Sequence, residues 1–389
     1  MKICITSPYV YPSRIGGAEK YVSCLARSLT KTGTEVIVLT SRHSKLQTAR
    51  SVRNGIETVY LNPWVNIGAN PLTPRLFDAI KRERPNIIHM QAPTLYGDFS
   101  TCSGRLLRIP VVATFHGCIT KSSAPGFLLS MYNVVYPNFT LNHCDRVIVT
   151  TRQNMWLLEQ MGLKKEVLSV VPVGVERSFI DSSISTESED EFSALISKVG
   201  GVQKAKLLFA GALDRHHAYK GLENLLTALK LVVKARPDVL LIVVGDGDRR
   251  AYYETLAKDL GIGQNVLFTG WVSDELLLTA YSRSDLFVLP SRSYSEGFGI
   301  VLLEAMSRGC PVLTTSFAGG AEAVRDAGAG IVVENPDPVL LSNAIMKFVD
   351  NQDYAGKCGR NGMIAVDLKY TWDIVVERIL NIYKTRLCN

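Results

Sequence analysis

Two carboxylates, Glu296 and Glu304, stand in the string Ser295-Glu296-Gly297-Phe298-Gly299-Ile300-Val301-Leu302-Leu303-Glu304. Glycines just ahead of a helix let the backbone approach a ligand, and first-turn N–H groups with the helix dipole favour an anion there. The loop therefore suits a phosphate. Glu296 precedes the helix and Glu304 lies further along it, so the two are not a close acid/base pair and would grip different parts of one elongated ligand. Carboxylates accept hydrogen bonds, which fits either a cation-rich ligand or an uncharged polyol. A nucleotide sugar has hydroxyls at both ends and a diphosphate between them.

The surrounding pattern supplies the elements that hold these groups. Leu286 to Leu289 is a short apolar run stopped by Pro290, a buried parallel strand in this reading. An apolar helix, Ile300 to Ser307, ends before Gly309, and Pro311 to Thr315 reads as the next strand. The whole string, through Ala305-Met306-Ser307-Arg308-Gly309-Cys310-Pro311-Val312, resembles the signature of retaining, nucleotide-sugar-dependent glycosyltransferases of the group 1 family, with its Glu-x7-Glu spacing. Two Glu residues at a fixed gap are weak evidence alone; with the glycines and Pro311 the signal is strong.

The resemblance implies an α/β fold of the B type: two Rossmann-like doubly wound domains facing across a cleft, with the C-terminal helix crossing back to the first. The expected bounds are an acceptor-side domain at 1–172, a nucleotide-sugar domain at 173–371, and the returning helix at 372–389. That last segment carries Trp372, Val375, Val376, Ile379, Ile382 and Tyr383 on one broad face.

Further candidates follow along the chain. Lys2 to Thr6 reads as a strand and Lys20 to Thr30 as a helix, with Gly16-Gly17 between them. Strand, glycine turn and helix make a phosphate cradle, although a bare glycine pair more often marks a tight turn. The resemblance places Gly16 and Gly17 toward the donor diphosphate and the acceptor. Val111 to Phe115 delivers His116 to a strand's carboxyl end, where open α/β sheets bind ligands. A lone His is more often a packing residue; the resemblance puts His116 beside the donor sugar and makes it the catalytic candidate of the first domain. Family members commonly show His-x-His at the neighbouring strand end, whereas this chain has His89-Met90-Gln91.

In the second half, Leu207 to Ala210 leads into Gly211-Ala212-Leu213-Asp214-Arg215-His216-His217-Ala218-Tyr219-Lys220-Gly221. The family's diphosphate-binding Arg is replaced by Ala212, so that contact is missing or comes from Arg215 in what reads as a lengthened, flexible loop. Lys220 matches the family Lys; an exposed Lys is usually only solvated, but one ending a loop at a strand's carboxyl edge is a better phosphate candidate. His216 and His217 lack a spaced third ligand for a metal. Gly245-Asp246-Gly247-Asp248 is not a dinucleotide fingerprint, since Arg250 holds the third glycine position. Its Asp-x-Asp is not read as a metal site either, because the context matches the family's nucleotide-side loop.

Composition is that of a globular protein: 389 residues, 47% apolar and 20% charged. The start, Met1-Lys2-Ile3-Cys4-Ile5, does not read as a signal peptide, and no apolar run reaches the ~18 residues a bilayer span needs. The eight cysteines lack paired spacing, mostly sit among apolar residues, and read as reduced, buried thiols. Residues 1–172 carry 20 Lys and Arg against 9 Asp and Glu, while 173–389 carry 23 against 27. A half so basic would be drawn to an anionic membrane face or an anionic acceptor. Ser122 to Cys144 has no formal charge and reads as buried helical turns or, alternatively, as a segment that meets lipid. Ile180 to Lys198, rich in Ser and acid, reads as a solvated surface insertion.

The resulting expectation is a metal-independent transfer of a hexose from a nucleoside-diphosphate sugar to a glycan or lipid-linked hydroxyl, with no cofactor beyond that co-substrate. Its donor residues would be Gly16, Gly17, Arg215, Lys220, Glu296, Gly297, Phe298, Gly299, Ile300 and Glu304. His116, Glu296 and Lys220 would carry the chemistry, with Glu296 on sugar hydroxyls and Glu304 on the ribose. Nucleic acid is not an expected partner. The expected location is the cytoplasm, with peripheral attachment at the inner membrane face as the extension of it. A nucleotide-sugar epimerase of the same fold and a non-catalytic nucleotide-sugar-binding protein are the rival readings.

Overall fold

A computed structural model describes residues 1–10, 16–42, 49–53, 55–67, 70–117, 139–200 and 204–387. The uncharged stretch from Ser122 falls mostly outside these residues, as does Arg14. The chain divides into two compact units, Met1–Gly174 with Trp372–Asn389, and Val175–Thr371.

The first unit contains β1 (Lys2–Thr6), β2 (Glu35–Ser41), β3 (Arg50–Arg53), β4 (Ile56–Leu61), β5 (Val65–Ile67), β6 (Asn70–Leu72), β7 (Ile87–Ala92), β8 (Val111–Phe115), β9 (Arg146–Val149) and β10 (Leu168–Val170). Eight of these form one sheet in the order β10-β9-β8-β7-β1-β2-β4-β3, and β5 pairs with β6 separately. Every pairing in the large sheet is parallel except the β3–β4 hairpin at its edge. β1, β7 and β8 are almost wholly buried, as strands covered on both faces must be. The glycine pair opens the helix Gly17–Lys31: Gly16 is its N-cap and Gly17 its first residue, so the helix starts earlier than its apolar spacing suggests. The terminal helix Trp372–Leu387 belongs to this unit and packs on the helix Gly17–Lys31.

The second unit contains β11 (Ala205–Ala210), β12 (Val239–Val244), β13 (Val266–Gly270), β14 (Leu286–Leu289), β15 (Val312–Thr315) and β16 (Gly330–Val333), all parallel, in the order β13-β12-β11-β14-β15-β16. The order reverses between β11 and β14, the switch point at which doubly wound sheets open a crevice. β11 stays paired with β12 through Ala210 but with β14 only through Leu208, so β11 and β14 part toward their carboxyl ends.

One segment corrects the sequence reading. Thr186–Ser197, within the supposed solvated insertion, is a helix capped by Ser185, and it buries Ser188, Phe192 and Ile196. It packs on the helix Asp274–Arg283, where Ser188 Oγ lies 2.8 Å from Thr279 Oγ1 and Glu189 pairs with Arg283. Phe192 and Ile196, four residues apart, suffice to seat an acidic helix on one face. Cys102 is a second correction, being exposed where a buried thiol was expected; Cys4, Cys24, Cys144, Cys310 and Cys358 are buried and free.

Candidate active site

In the second unit the switch point brings Lys220 and Glu296 together. The segment expected to be a flexible loop after β11 is a 3-10 helix, Arg215–Lys220, capped by the Asp214 side chain accepting from the His217 amide. Gly221 follows at φ +79°, and a Cβ there would stand 2.0 Å from the Pro290 carbonyl oxygen. Only glycine lets this turn approach the end of β14 so closely. The Arg292 amide also donates to the Tyr219 carbonyl at 2.7 Å, binding the two loops into one body. Lys220 runs its stem over Gly211, where a Cβ would meet Cδ at 2.8 Å, and its Nζ donates to Glu296 Oε2 at 2.8 Å. The two side chains are only 12% and 9% exposed. A cation and a carboxylate thus neutralise each other in a largely dry crevice.

Glu296 is held from behind. The Gly319 amide donates to the Glu296 carbonyl at 3.2 Å and the Gly320 amide to the Phe298 carbonyl at 2.6 Å. A Cβ on Gly319 would stand 2.1 Å from the Gly297 oxygen, so the loop Gly297-Phe298-Gly299 is pressed onto this second glycine pair. Phe298 is buried beneath it. Gly299, at φ +79°, caps the helix Ile300–Ser307, and no side chain occupies that cap. The first-turn amides of Ile300 and its neighbours are therefore presented as anion donors beside Glu296. Glu304 lies further along the helix, 4% exposed, and accepts from the Tyr281 hydroxyl at 3.1 Å. Tyr281 has no counterpart in the sequence motif. A Tyr on the preceding helix, 23 positions away, gives no local signal.

Arg215 is 84% exposed and turned to Asp248: its Nε lies 3.5 Å from Oδ2, and its amide donates to Oδ1 at 3.0 Å. Asp246 pairs with Arg250 at 3.2 Å. Both carboxylates of the Asp-Gly-Asp loop thus have arginine partners. His217 Nδ1 sits 2.8 Å from Asp214, and His216 meets the same carboxylate through its backbone. Among the described residues no group of three or more His, Cys, Asp or Glu is placed to hold a metal.

The first unit gathers a different set. β7 and β8 carry two polar rungs at their carboxyl ends: His89 Nε2 lies 2.7 Å from Thr114 Oγ1, and His116 Nε2 lies 2.7 Å from Gln91 Oε1. Tyr383 of the terminal helix bonds the other nitrogen of His89, and Tyr21 bonds Thr114 at 3.3 Å. The Tyr21 ring meets His116 edge-on at 5.0 Å and Trp372 at 5.2 Å. Burial pushes His116 down to about 4 and His89 to about 3, so both rings are neutral at pH 7. Gly16 has no side-chain cap; a Cβ there would strike the Glu19 carboxylate at 2.3 Å, so this glycine admits the carboxylate beside the helix start.

Comparison with known proteins follows the two units. The family model described as "Glycosyl transferases group 1" matches residues 196–363, and "Glycosyltransferase Family 4" matches residues 15–179. A phosphatidyl-myo-inositol mannosyltransferase of Mycobacterium leprae is 26% identical over 389 residues, covering 99% of this chain and 97% of its own. A GDP-mannose-dependent monoacylated alpha-(1-6)-phosphatidylinositol monomannoside mannosyltransferase of Corynebacterium glutamicum is 33% identical over 171 residues, 43% of this chain and 44% of its own. Among solved structures, sucrose-phosphate synthase from Thermosynechococcus elongatus superposes with TM-score 0.80 at 22% identity, covering 100% of this chain and 99% of its own. Anabaena HepE in complex with UDP-glucose gives TM-score 0.78 at 18% identity, covering 99% of this chain and 100% of its own. At such identities the structural likeness establishes the B-type fold.

Proposed function

The chain belongs to the group 1 glycosyltransferases, and we propose that it moves a hexose from a nucleoside-diphosphate sugar to a hydroxyl of a glycan or lipid-linked acceptor, retaining the anomeric configuration without a metal ion. The observation that carries this reading is the Lys220–Glu296 pair, set at the switch point beside the uncapped helix Ile300–Ser307. A donor entering there exchanges one internal ion pair for two ligand contacts. Its diphosphate takes Lys220 and the first-turn amides, and its sugar hydroxyls take the carboxylate of Glu296. Glu304, held by Tyr281, accepts from the ribose. His116, neutral, meets the sugar as a hydrogen-bonding partner, and Gly16 and Gly17 leave room for the diphosphate and the acceptor.

In the reaction the C1–O bond to the phosphate breaks while the acceptor oxygen bonds C1 on the same face. The departing phosphate oxygen takes the acceptor's proton. Lys220 and the helix amides stabilise the charge on the leaving diphosphate, which is the role a divalent metal would otherwise fill.

The donor class is supported by the UDP-glucose complex of HepE and by the GDP-mannose named for the Corynebacterium relative. Relatives named for phosphatidylinositol acceptors support a glycolipid acceptor. Attachment to an anionic membrane face would draw on exposed basic residues at two helix ends, Lys81, Arg82 and Arg84 at that of Leu76–Glu83 and Arg105 and Arg108 at that of Leu95–Leu107; Lys81, Arg82 and Arg84 line one hollow with Asp78 and Leu107.

The test is a panel of nucleotide sugars screened for thermal stabilisation, slow hydrolysis, and transfer to phosphatidylinositol vesicles in the presence of EDTA. Stabilisation by one donor and an α-linked product from an α-linked donor are expected. An inverted product, loss of activity in EDTA, or isomerised donor without transfer would each overturn the corresponding part of the reading.

A further inference from the structure

The polar rungs of the first unit have a construction that the reaction alone does not require. Each joins a residue of β7 to the residue 25 positions later, Thr114 on β8 and His116 just past its end, so they repeat along the pair of strands. The inner rung is closed on every side. His89 has a partner at each ring nitrogen, Tyr383 and Thr114, and Thr114 is also bonded by Tyr21. The outer rung is not closed. Gln91 is 3% exposed, its Oε1 faces His116 Nε2, and its amide nitrogen is buried with no hydrogen-bond partner among the described residues. The recorded hydrogen bond of His116 among the described residues is the one at Nε2. Buried polar groups are usually satisfied; the Gln91 amide is one of eight buried side-chain polar atoms left without a partner among the described residues, and it lies at a strand's carboxyl end, where open sheets bind ligands.

We propose that Gln91 is the positioning residue of His116: its side-chain carbonyl accepts from Nε2–H and thereby fixes Nδ1 as a lone-pair acceptor for a donor hydroxyl. Gln91 occupies the place of the second His of the family's His-x-His, and it keeps the hydrogen bond while removing a second titrating ring. The inner rung ties β8 to Tyr21 and β7 to the terminal helix, and the Tyr21 edge closes one side of the imidazole. The titratable groups recorded around His116 are Tyr21, from the helix Gly17–Lys31, and His89, from β7. Burial pushes Tyr21 up to about 12 and His89 down to about 3, so neither carries charge at pH 7. Among the described residues no neighbouring charge selects orientation or tautomer, which leaves Gln91 as the hydrogen-bonding group that does. The opposite tautomer would present a donor in place of an acceptor.

The inference rests on the reading of His116 as a donor contact, and the test separates the two. In the full-length wild type, long-range proton–nitrogen NMR should show His116 protonated at Nε2 and bare at Nδ1. Gln91→Leu should give mixed tautomers and lower kcat/KM for hydrolysis of GDP-mannose or UDP-glucose, whichever the wild type uses, by roughly tenfold or more, chiefly through kcat. Gln91→Glu, which needs no new space, should raise the His116 titration midpoint by more than one pH unit, and Gln91→His should recover part of the lost rate. A wild-type ring protonated at Nδ1, or a Gln91→Leu variant with unchanged tautomer and rate, overturns the role of Gln91. Undiminished hydrolysis by His116→Ala instead overturns the donor-contact reading itself, whatever the tautomer proves to be.

Discussion

The two units build their polar centres in opposite ways. In the second, a charged pair, Lys220 and Glu296, sits 2.8 Å apart beside an uncapped helix start. In the first, the centre is made of neutral groups, His89 with Thr114 and His116 with Gln91, whose rings burial holds uncharged. An ionic centre is suited to a charged ligand part, since it gives up one counter-charge and gains another. A neutral centre discriminates by direction, because a donor left facing a donor in a dry site is costly. On the proposed reading, the second unit's charges meet the diphosphate while Glu296 and Glu304 take hydroxyls, and His116 of the first unit adds a neutral, directional contact to the sugar.

Removing one member of the ionic pair should have the largest effect. Glu296→Gln keeps the volume and a hydrogen bond to Lys220, so the fold should persist while transfer falls by about a hundredfold or more. Lys220→Ala should in addition destabilise the second unit by about 3 kcal/mol, because it strands a buried carboxylate, and adding Glu296→Gln should restore most of that loss. Urea melts of the four proteins check both statements. Near-normal transfer by Glu296→Gln would remove that residue from the site.

Acid should find the neutral centre next. His89 and His116 have folded values below the ordinary 6.5, so below pH 6.5 the unfolded chain binds protons that the folded chain refuses. Stability is full above that pH and is lost as pH falls toward about 4 for His116 and about 3 for His89, with a slope of about 1.4 kcal/mol per pH unit for each ring. Asp98 works the other way. Burial raises it to about 6, so between that pH and its ordinary 3.8 it binds a proton in the folded state and offsets one of the two histidines. The first unit should therefore show a net slope near that of one ring between pH 6 and 4. His89→Gln should flatten it, as measured by urea midpoints followed on β7 NMR signals; an unchanged slope would remove His89 from the account.

What the sequence made legible follows the same division. The strand Leu286–Leu289 and the helix Ile300–Ser307 were readable because apolar runs and glycine stops are local, and Glu296 and Lys220 could be singled out because the strings around them match the family's pattern. Gln91 and Tyr281 were not, since their meaning lies in partners 25 and 23 positions away that only packing brings near. Gln91 registered solely as a missing histidine. The Thr186–Ser197 helix was misread because acidic composition outweighed two apolar residues whose burial needs a neighbouring helix. The β3–β4 hairpin and the helices Pro338–Val349 and Gln352–Lys369 were passed over for lack of any motif to anchor them.

Smaller effects sharpen the assignment within the second unit. Tyr281→Phe removes the hydroxyl that reaches Glu304 and should cost about 1–3 kcal/mol of stability, with KM for donor rising more than kcat falls. Arg215→Ala should do least. The side chain is 84% exposed and already turned to Asp248 at 3.5 Å, and an exposed pair of this kind contributes little. If the charge needed for the diphosphate comes from Lys220 and the helix amides, transfer by Arg215→Ala should stay within about twofold of wild type, since no transition-state contact is lost. A drop as large as that of Lys220→Ala would mean that Arg215 leaves Asp248 for the diphosphate when donor binds. It would then stand in for the arginine replaced by Ala212, and the ionic centre would have two cations where the free protein joins only one to Glu296.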